Sequence, residues 1–128
     1  MKPLAAPLLA IVFGAFILCA ETCLHFEGIL HPSAWTDFPI HDWFAGGMLV
    51  YGGRLSHRDW VHGRPYQAAG WGFMSSLLVA AFTAHWEDWS LSPSSADEWF
   101  SPRAFVIVLA ALAALALGAL ASTLTTRR

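Results

Sequence analysis

The run AFVIVLAALAALALGALASTLTT, residues 104–126, contains no charged side chain and decides the class of protein. A helix rises about 1.5 Å per residue, so a run of this length crosses the hydrocarbon layer of a membrane, which is about 30 Å thick. Two further runs, residues 3–20 and 65–84, are also free of charged side chains. We therefore expect at least three transmembrane helices.

The composition of the 128 residues points to the same class. Hydrophobic residues make up 56% of the chain and charged residues 12%, whereas soluble domains contain about 45–50% and about 25%. Polar low-complexity segments are missing and there are only two cysteines, which excludes a disordered chain and a disulfide framework. The net charge of −2 argues against nucleic acid as a partner. The chain is predicted to be an integral membrane protein with a single domain.

A fourth span is predicted over residues 38–57, although its ends are polar. Asp37 is placed to cap the helix, and Pro39 lies in the first turn, where a missing N–H has no cost. Asp42 lies near the positive end of the helix dipole. These start signals favour a helix despite the short uncharged centre.

Prolines give the start signals of the last two predicted helices. Pro65 follows Arg64, and Pro102 follows Ser101. The predicted fold is an all-α integral membrane protein, a four-helix transmembrane bundle with short loops. Its predicted spans are residues 3–25, 38–57, 65–85 and 102–124.

The first apolar run, residues 3–20, also resembles a secretory signal peptide because it follows Lys2. Cleavage after Ala20 would place Leu18 where a small residue is needed, so we interpret the run as a span. Cys19 and Cys23 lie one helical turn apart near its end. A disulfide within a helix is strained, so we expect two buried free thiols.

The positions of the cations predict the topology, because cytoplasmic ends and short loops are enriched in Lys and Arg. With both termini inside, only Arg103 is outside. The cytoplasmic cations are then Lys2, Arg54, Arg58, Arg64, Arg127 and Arg128. The predicted location is a bacterial inner membrane with both termini cytoplasmic. Aromatic belts are expected from Trp35, Trp43, Trp86, Trp89 and Trp99 on the outer side and from Tyr51, Trp60 and Tyr66 on the inner side.

Small residues recur at four-residue spacing and predict the contact faces of the bundle or of its oligomer. The first predicted span has Ala6, Ala10 and Gly14 in such a column; the third has Ala68, Gly72, Ser76, Ala80 and Ala84; the fourth has Ala110, Ala114, Gly118 and Ser122. In the second span, similar close approach is expected from Gly46, Gly47, Gly52 and Gly53.

Polar groups at the outer ends of the spans are the candidate chemical site, because ionisable residues at membrane depth are costly and usually functional. In an up-and-down bundle these ends converge. The candidate metal ligands are Glu21, His25, His41, His85 and Asp88. Imidazole and carboxylate groups bind zinc, copper or iron, or a haem iron. The same groups also fit helix caps and dipole partners, or a proton or substrate path.

The predicted inner loop, residues 54–66, is basic and contains tryptophan. Such a loop suits contact with anionic lipid headgroups or with a partner subunit. The residues assigned to this contact are Arg54, Arg58, Trp60 and Arg64.

Three functions are compatible with these patterns. The first is a binding or accessory subunit that packs through its small-residue faces into a homo-oligomer or against other membrane subunits. The second is a metal- or haem-dependent membrane enzyme or electron-transfer component built on the outer histidines and carboxylates. The third is an oligomeric carrier of a small solute.

Overall fold

A computed structural model of the chain describes residues 5–26, 30, 40–91 and 102–126, except for the side chains of residues 87–91 and 102. The described part contains four long helices and no strand. They are α1 (Ala5–Leu24), α2 (Ile40–Arg58), α3 (Trp60–Leu91) and α4 (Pro102–Thr125). The predicted all-helical class is confirmed, and α4 begins at Pro102 as its start signal indicates.

The helices pack in chain order, α1 on α2, α2 on α3 and α3 on α4, while α1 touches α3 and α4 only slightly. Trp71 of α3 is completely buried at the centre, where its ring lies 5.2 Å from that of Phe13. All four helices contribute to this core. Its members are Ala10, Phe13 and Ile17; Ala45 and Leu49; Trp71, Met74 and Leu78; and Leu109, Ala113 and Ala116.

Two of the helices, Ala5–Leu24 and Arg103–Thr125, are long and apolar enough to cross a membrane. In α2, four glycines together with His41, Asp42 and Arg54 lower the mean hydropathy. In α3, Gln67, Ser75 and the tryptophans have the same effect. The predicted four-span bundle is thus supported for α1 and α4 by length and composition, and for α2 and α3 only as packed helices.

Glycines bring the backbones of α2 and α3 into contact. A Cβ atom added at Gly52 would lie 2.5 Å from the backbone N of Gln67, and one added at Gly63 would lie 2.1 Å from the backbone N of Ser56. Real Cβ atoms do not approach other atoms so closely. Any larger residue at these positions would therefore force the two helices apart.

The predicted loop at residues 54–66 is wrong, because α2 and α3 form a helical hairpin with Asp59 alone between them. Oδ1 of Asp59 accepts hydrogen bonds from the backbone N–H groups of Val61 and His62, at 3.0 and 3.2 Å. This cap starts α3 at Trp60, ahead of the predicted start at Pro65. Pro65 lies inside the helix, where it has no N–H to donate to the carbonyl of Val61.

The predicted small-residue columns divide into two groups. Gly14 and Gly46 meet at the α1–α2 interface, where a Cβ atom on Gly14 would lie 2.6 Å from the Gly46 carbonyl oxygen. The columns of α3 and α4 do not face the core, since Gly72 and Gly118 have open space beside them. These two helices bury other residues instead. They bury Gly63, Gln67, Gly70, Trp71, Met74, Ser75 and Leu78 in α3, and Val106, Leu109, Ala113, Ala116 and Thr123 in α4.

The two cysteines differ from expectation in their burial. Cys19 and Cys23 are free thiols, and both are exposed on the outer surface of α1. The core-facing positions of this helix are Phe13, Gly14 and Ile17. Because the helix rotation is set by the Gly14–Gly46 contact, the cysteines face away from the other helices.

Candidate functional site

The C-terminal end of α1 and the N-terminal end of α2 bring several of the predicted ligands together; we call Glu21, His25, His41, Asp42 and His85 the histidine–carboxylate end. Nδ1 of His25 lies 3.3 Å from Oε2 of Glu21 and 3.1 Å from the Glu21 carbonyl oxygen. Asp42 is close enough to interact electrostatically with Glu21, His25 and His41. Asp42 was not in the predicted ligand set, although its position next to His41 in the sequence could have indicated it.

His85 contacts α4 at this end. Its ring packs edge-on against Phe105, with the ring centres 5.1 Å apart. The side chain of Asp88 lies outside the described residues. Within the part of the chain that the structure describes, no group of three His, Cys, Asp or Glu side chains is placed to hold a metal ion. The zinc, copper, iron or haem site at Glu21, His25, His41, His85 and Asp88 therefore stays a prediction.

Polar contacts tie the opposite end together; we call it the hairpin end, comprising residues 54–67 and the described end of α4. Arg64 Nε donates a hydrogen bond of 2.9 Å to the Thr123 carbonyl oxygen, and Nη2 donates to the carbonyl of Leu124. Gln67 Nε2 donates to the Ala6 carbonyl at 3.1 Å and to Thr123 Oγ1 at 3.5 Å. These bonds satisfy carbonyls at the end of α4 and join α1, α3 and α4.

Asp59 and His62 form an exposed pair at the turn of the hairpin. Nδ1 of His62 lies 2.6 Å from Oδ2 of Asp59. This hydrogen bond, with those from the backbone N–H groups, lowers the pKa of the Asp59 carboxyl below its usual value. The charged form of Asp59 is the form that caps α3.

The four residues predicted to contact lipid or a partner have two different environments. Trp60 is only 8% exposed, so its ring packs inside the protein rather than at the surface. Arg64 is half-buried and bonded to the end of α4. Arg54 and Arg58 are exposed, and within the described part of the chain neither forms a salt bridge. These two are the exposed members of the set, and contact of the four residues with lipid or a partner stays a prediction.

Arg54 and Arg58 line a cleft of about 550 Å³ beside α2. The other lining residues are Ile11, Tyr51, Leu55 and His57. Sequence reasoning did not single out Tyr51 or His57 for this site. The spacing of Tyr51, Arg54 and Arg58 at three and four residues, which places them on one helix face, is the signal that could have identified them.

A second surface feature is an open apolar groove of about 360 Å³ between α1 and α4, which we call the α1–α4 groove. Trp71 of α3 forms part of its lining. Its walls are Ala6 and Leu9 on one side and Ala114, Leu115, Gly118, Ala119, Ser122 and Thr123 on the other. Three members of the small-residue column of α4, namely Ala114, Gly118 and Ser122, therefore line this groove.

Neither the cleft at Arg54 and Arg58 nor the α1–α4 groove is lined by a residue of the predicted metal-ligand set. Comparison with models of protein families, with curated proteins and with solved structures finds no match to this chain.

Proposed function

We propose that this chain is a four-span membrane protein that acts as a binding or accessory subunit and associates with a second copy of itself through the α1–α4 groove. Large apolar side chains on the outside of every helix support the membrane setting, because soluble proteins rarely expose so many. The exposed residues include Leu8, Val12 and Phe16; Ile40 and Phe44; Val79 and Trp86; and Ile107, Val108 and Leu117.

The lengths of α2 and α3 also fit a membrane. The 19 residues of α2 extend over about 28 Å and the 32 residues of α3 over about 48 Å. The hydrocarbon layer is about 30 Å thick, so α2 spans it almost without tilt and α3 extends beyond it. In α3, Gln67 and Ser75 are buried, so they lower the hydropathy without adding polar groups to the surface. The exposed hydroxyls of Ser76 and Thr83 donate hydrogen bonds to carbonyls of their own helix.

The proposed topology places the hairpin end and both termini in the cytoplasm of a bacterial cell, with the histidine–carboxylate end outside the inner membrane. Arg54, Arg58 and Arg64 then lie on the side where positive charge is favoured. Cysteine labelling tests this. In a chain with Cys19→Ser and Cys23→Ser, Asp59→Cys should react with an impermeant maleimide only after the cells are permeabilised. Labelling in intact cells would contradict the topology.

The observation that carries the proposed association is the open space at Gly118. A Cβ atom there meets nothing within 4 Å, and Ala114 and Ala110, one and two turns earlier, are exposed on the same face. Small residues at four-residue spacing let transmembrane helices approach closely, which is how membrane helices associate in the absence of a hydrophobic drive. The bundle does not use this column, so it is free for a second copy.

The test is the association of the full chain in lipid bilayers. Energy transfer between two labelled copies should be lost in Gly118→Leu, because the leucine fills the groove. Gly72→Leu is the matched control, since Gly72 is equally open and lies outside the groove. Loss of transfer in Gly118→Leu alone is the expected result. Equal transfer in wild type and Gly118→Leu would contradict self-association through this groove and favour a different membrane subunit.

A further inference from the structure

The outward face of α2 carries two clefts that meet at Tyr51. One is the basic cleft of about 550 Å³ that contains Arg54 and Arg58. The other is an apolar cleft of about 470 Å³ on the same helix face. It is lined by Trp43, Phe44, Gly47, Met48, Tyr51 and Tyr66. The surface is therefore cationic towards the end of α2 and apolar towards its middle.

The basic cleft fits an anionic group. Arg54, His57 and Arg58 converge within the last turns of α2, and all three are exposed. Asp59 is the adjacent acid, and its carboxylate is occupied by His62 and the α3 cap. Two guanidinium groups without an acidic partner in the described residues can each donate paired hydrogen bonds to a phosphate.

The apolar cleft fits a hydrocarbon chain. Aromatic rings fix its shape, because Tyr51 packs edge-on against Tyr66 at 5.5 Å and Phe44 packs edge-on against Phe73 at 5.6 Å. Gly47 leaves the middle of the cleft open, with nothing within 4 Å of an added Cβ atom. Arg54 and Phe44 are ten residues apart, which corresponds to about 15 Å along the helix. That distance is the depth of one membrane leaflet, about half of the 30 Å layer.

We propose that the outward face of α2 is a binding site for an anionic membrane phospholipid, with its phosphate at Arg54 and Arg58 and one acyl chain in the cleft over Gly47. Charge complementarity selects the headgroup, and the order of the two clefts matches the order of headgroup and chain from the membrane surface inward. The inference rests on the membrane placement proposed above but not on self-association, since this face of α2 lies apart from the α1–α4 groove.

The experiment is native mass spectrometry of the full chain in a neutral detergent, with added phosphatidylglycerol or with phosphatidylcholine of the same acyl chains. Wild type should retain phosphatidylglycerol in preference to phosphatidylcholine. Removing one charge with Arg54→Gln should weaken phosphatidylglycerol binding about fivefold, and the double variant Arg54→Gln/Arg58→Gln about thirtyfold. Arg103→Gln, which removes an exposed cation at the opposite end, is the matched control and should have no effect.

A second variant pair tests the acyl chain. Gly47→Leu should weaken phosphatidylglycerol binding about tenfold, the effect of displacing about two methylene groups from an apolar seat. Gly72→Leu adds the same side chain at an equally open position outside the cleft and should leave binding unchanged. Glycerol phosphate and inorganic phosphate should fail to displace the lipid at equal concentration.

Several outcomes would overturn the proposal. Equal retention of the two lipids by wild type would remove the charge argument, as would an equal effect of Arg103→Gln and Arg54→Gln. Displacement of the lipid by free phosphate would identify the basic cleft as a site for a soluble anion. An equal effect of Gly72→Leu and Gly47→Leu would show that the apolar cleft holds no chain. Because binding is measured in detergent, none of these results depends on the topology or on dimer formation.

Discussion

Glycines lie in close contact with a neighbouring helix in the α2–α3 hairpin but face open space in the α1–α4 groove. In the hairpin, Gly52 and Gly63 lie directly against the backbone of the neighbouring helix, so an added Cβ atom would collide with it. In the groove, Gly118 faces open space, as Gly72 does elsewhere on the surface. The same residue type closes one interface completely and leaves the other available.

The difference separates a surface that the chain uses for its own packing from an open surface, where we propose that a second copy binds. The glycines of the hairpin contact the neighbouring helix of the same chain, and only Asp59 lies between the two helices. Helices α1 and α4 touch each other little, and Ala110, Ala114 and Gly118 of α4 remain exposed. Substitutions in the hairpin and in the groove should therefore have different effects on stability and association.

The largest effect is expected from Gly63→Ala in the hairpin. The added methyl group would lie 2.1 Å from the backbone N of Ser56, so α2 and α3 must separate. We expect the free energy of unfolding to fall by about 3 kcal/mol, at the upper end of the usual cost of overpacking. Thermal unfolding in detergent, followed by far-ultraviolet circular dichroism, measures the change. Gly72→Ala is the control, and an equal loss in both variants would contradict the close contact.

A smaller effect is expected from Arg64→Met, which removes the hydrogen bonds to the carbonyls of Thr123 and Leu124. Hydrogen bonds from a charged donor contribute about 1.5 to 3 kcal/mol to stability. Because Arg64 is partly solvated, we expect the free energy of unfolding to fall by about 1 kcal/mol. Hydrogen exchange should rise at the end of α4 and not in the centre of the hairpin. Unchanged exchange over the last described turn of α4 would show that Arg64 does not anchor it.

Gly118→Leu should leave the stability of the isolated chain almost unchanged, within about 0.5 kcal/mol, as surface substitutions usually do. The Cβ atom of the leucine enters open space, with no other atom within 4 Å. The comparison with Gly63→Ala under the same conditions is the informative one. A loss at Gly118 as large as the loss at Gly63 would mean that the groove is closed within the chain.

The smallest effect is expected from acid at the hairpin turn. The pKa of Asp59 is lowered by its hydrogen bonds, so its stabilising contribution is present above the ordinary carboxyl pKa of about 3.9 and is lost as the pH falls through the lower folded value. Asp59→Asn should remove this part of the acid dependence. The backbone amide shifts of Val61 and His62, followed against pH in both proteins, test the cap. An acid transition of equal size in the two proteins would contradict it.

Sequence patterns predicted the helical class and several helix limits. Uncharged runs gave α1 and α4, and the Ser101–Pro102 pair gave the start of α4. The start of α3 was predicted wrongly because Pro65 was assigned to the first turn, whereas the helix is capped by Asp59 and begins at Trp60. Asp59 satisfies two N–H groups at the true start, while Pro65 leaves the Val61 carbonyl at an exposed position that solvent or headgroups can reach.

Helix rotation could not be predicted, because alanine and glycine are frequent on every face of these helices. Columns at four-residue spacing therefore failed to identify the buried faces of α3 and α4. For the candidate sites, Arg54 and Arg58 are exposed, and their contact with lipid or a partner stays a prediction. The burial of Trp60 and the use of Arg64 as an anchor depend on contacts with distant parts of the chain.

We propose that the α4 face at the groove binds a second copy, and disulfide cross-linking in native membranes tests this contact. In the chain with Cys19→Ser and Cys23→Ser, Gly118→Cys should form a covalent dimer under mild oxidation. Gly72→Cys, at an equally open position, should remain monomeric. Absence of a dimer at position 118, or equal yields at both positions, would contradict the claim.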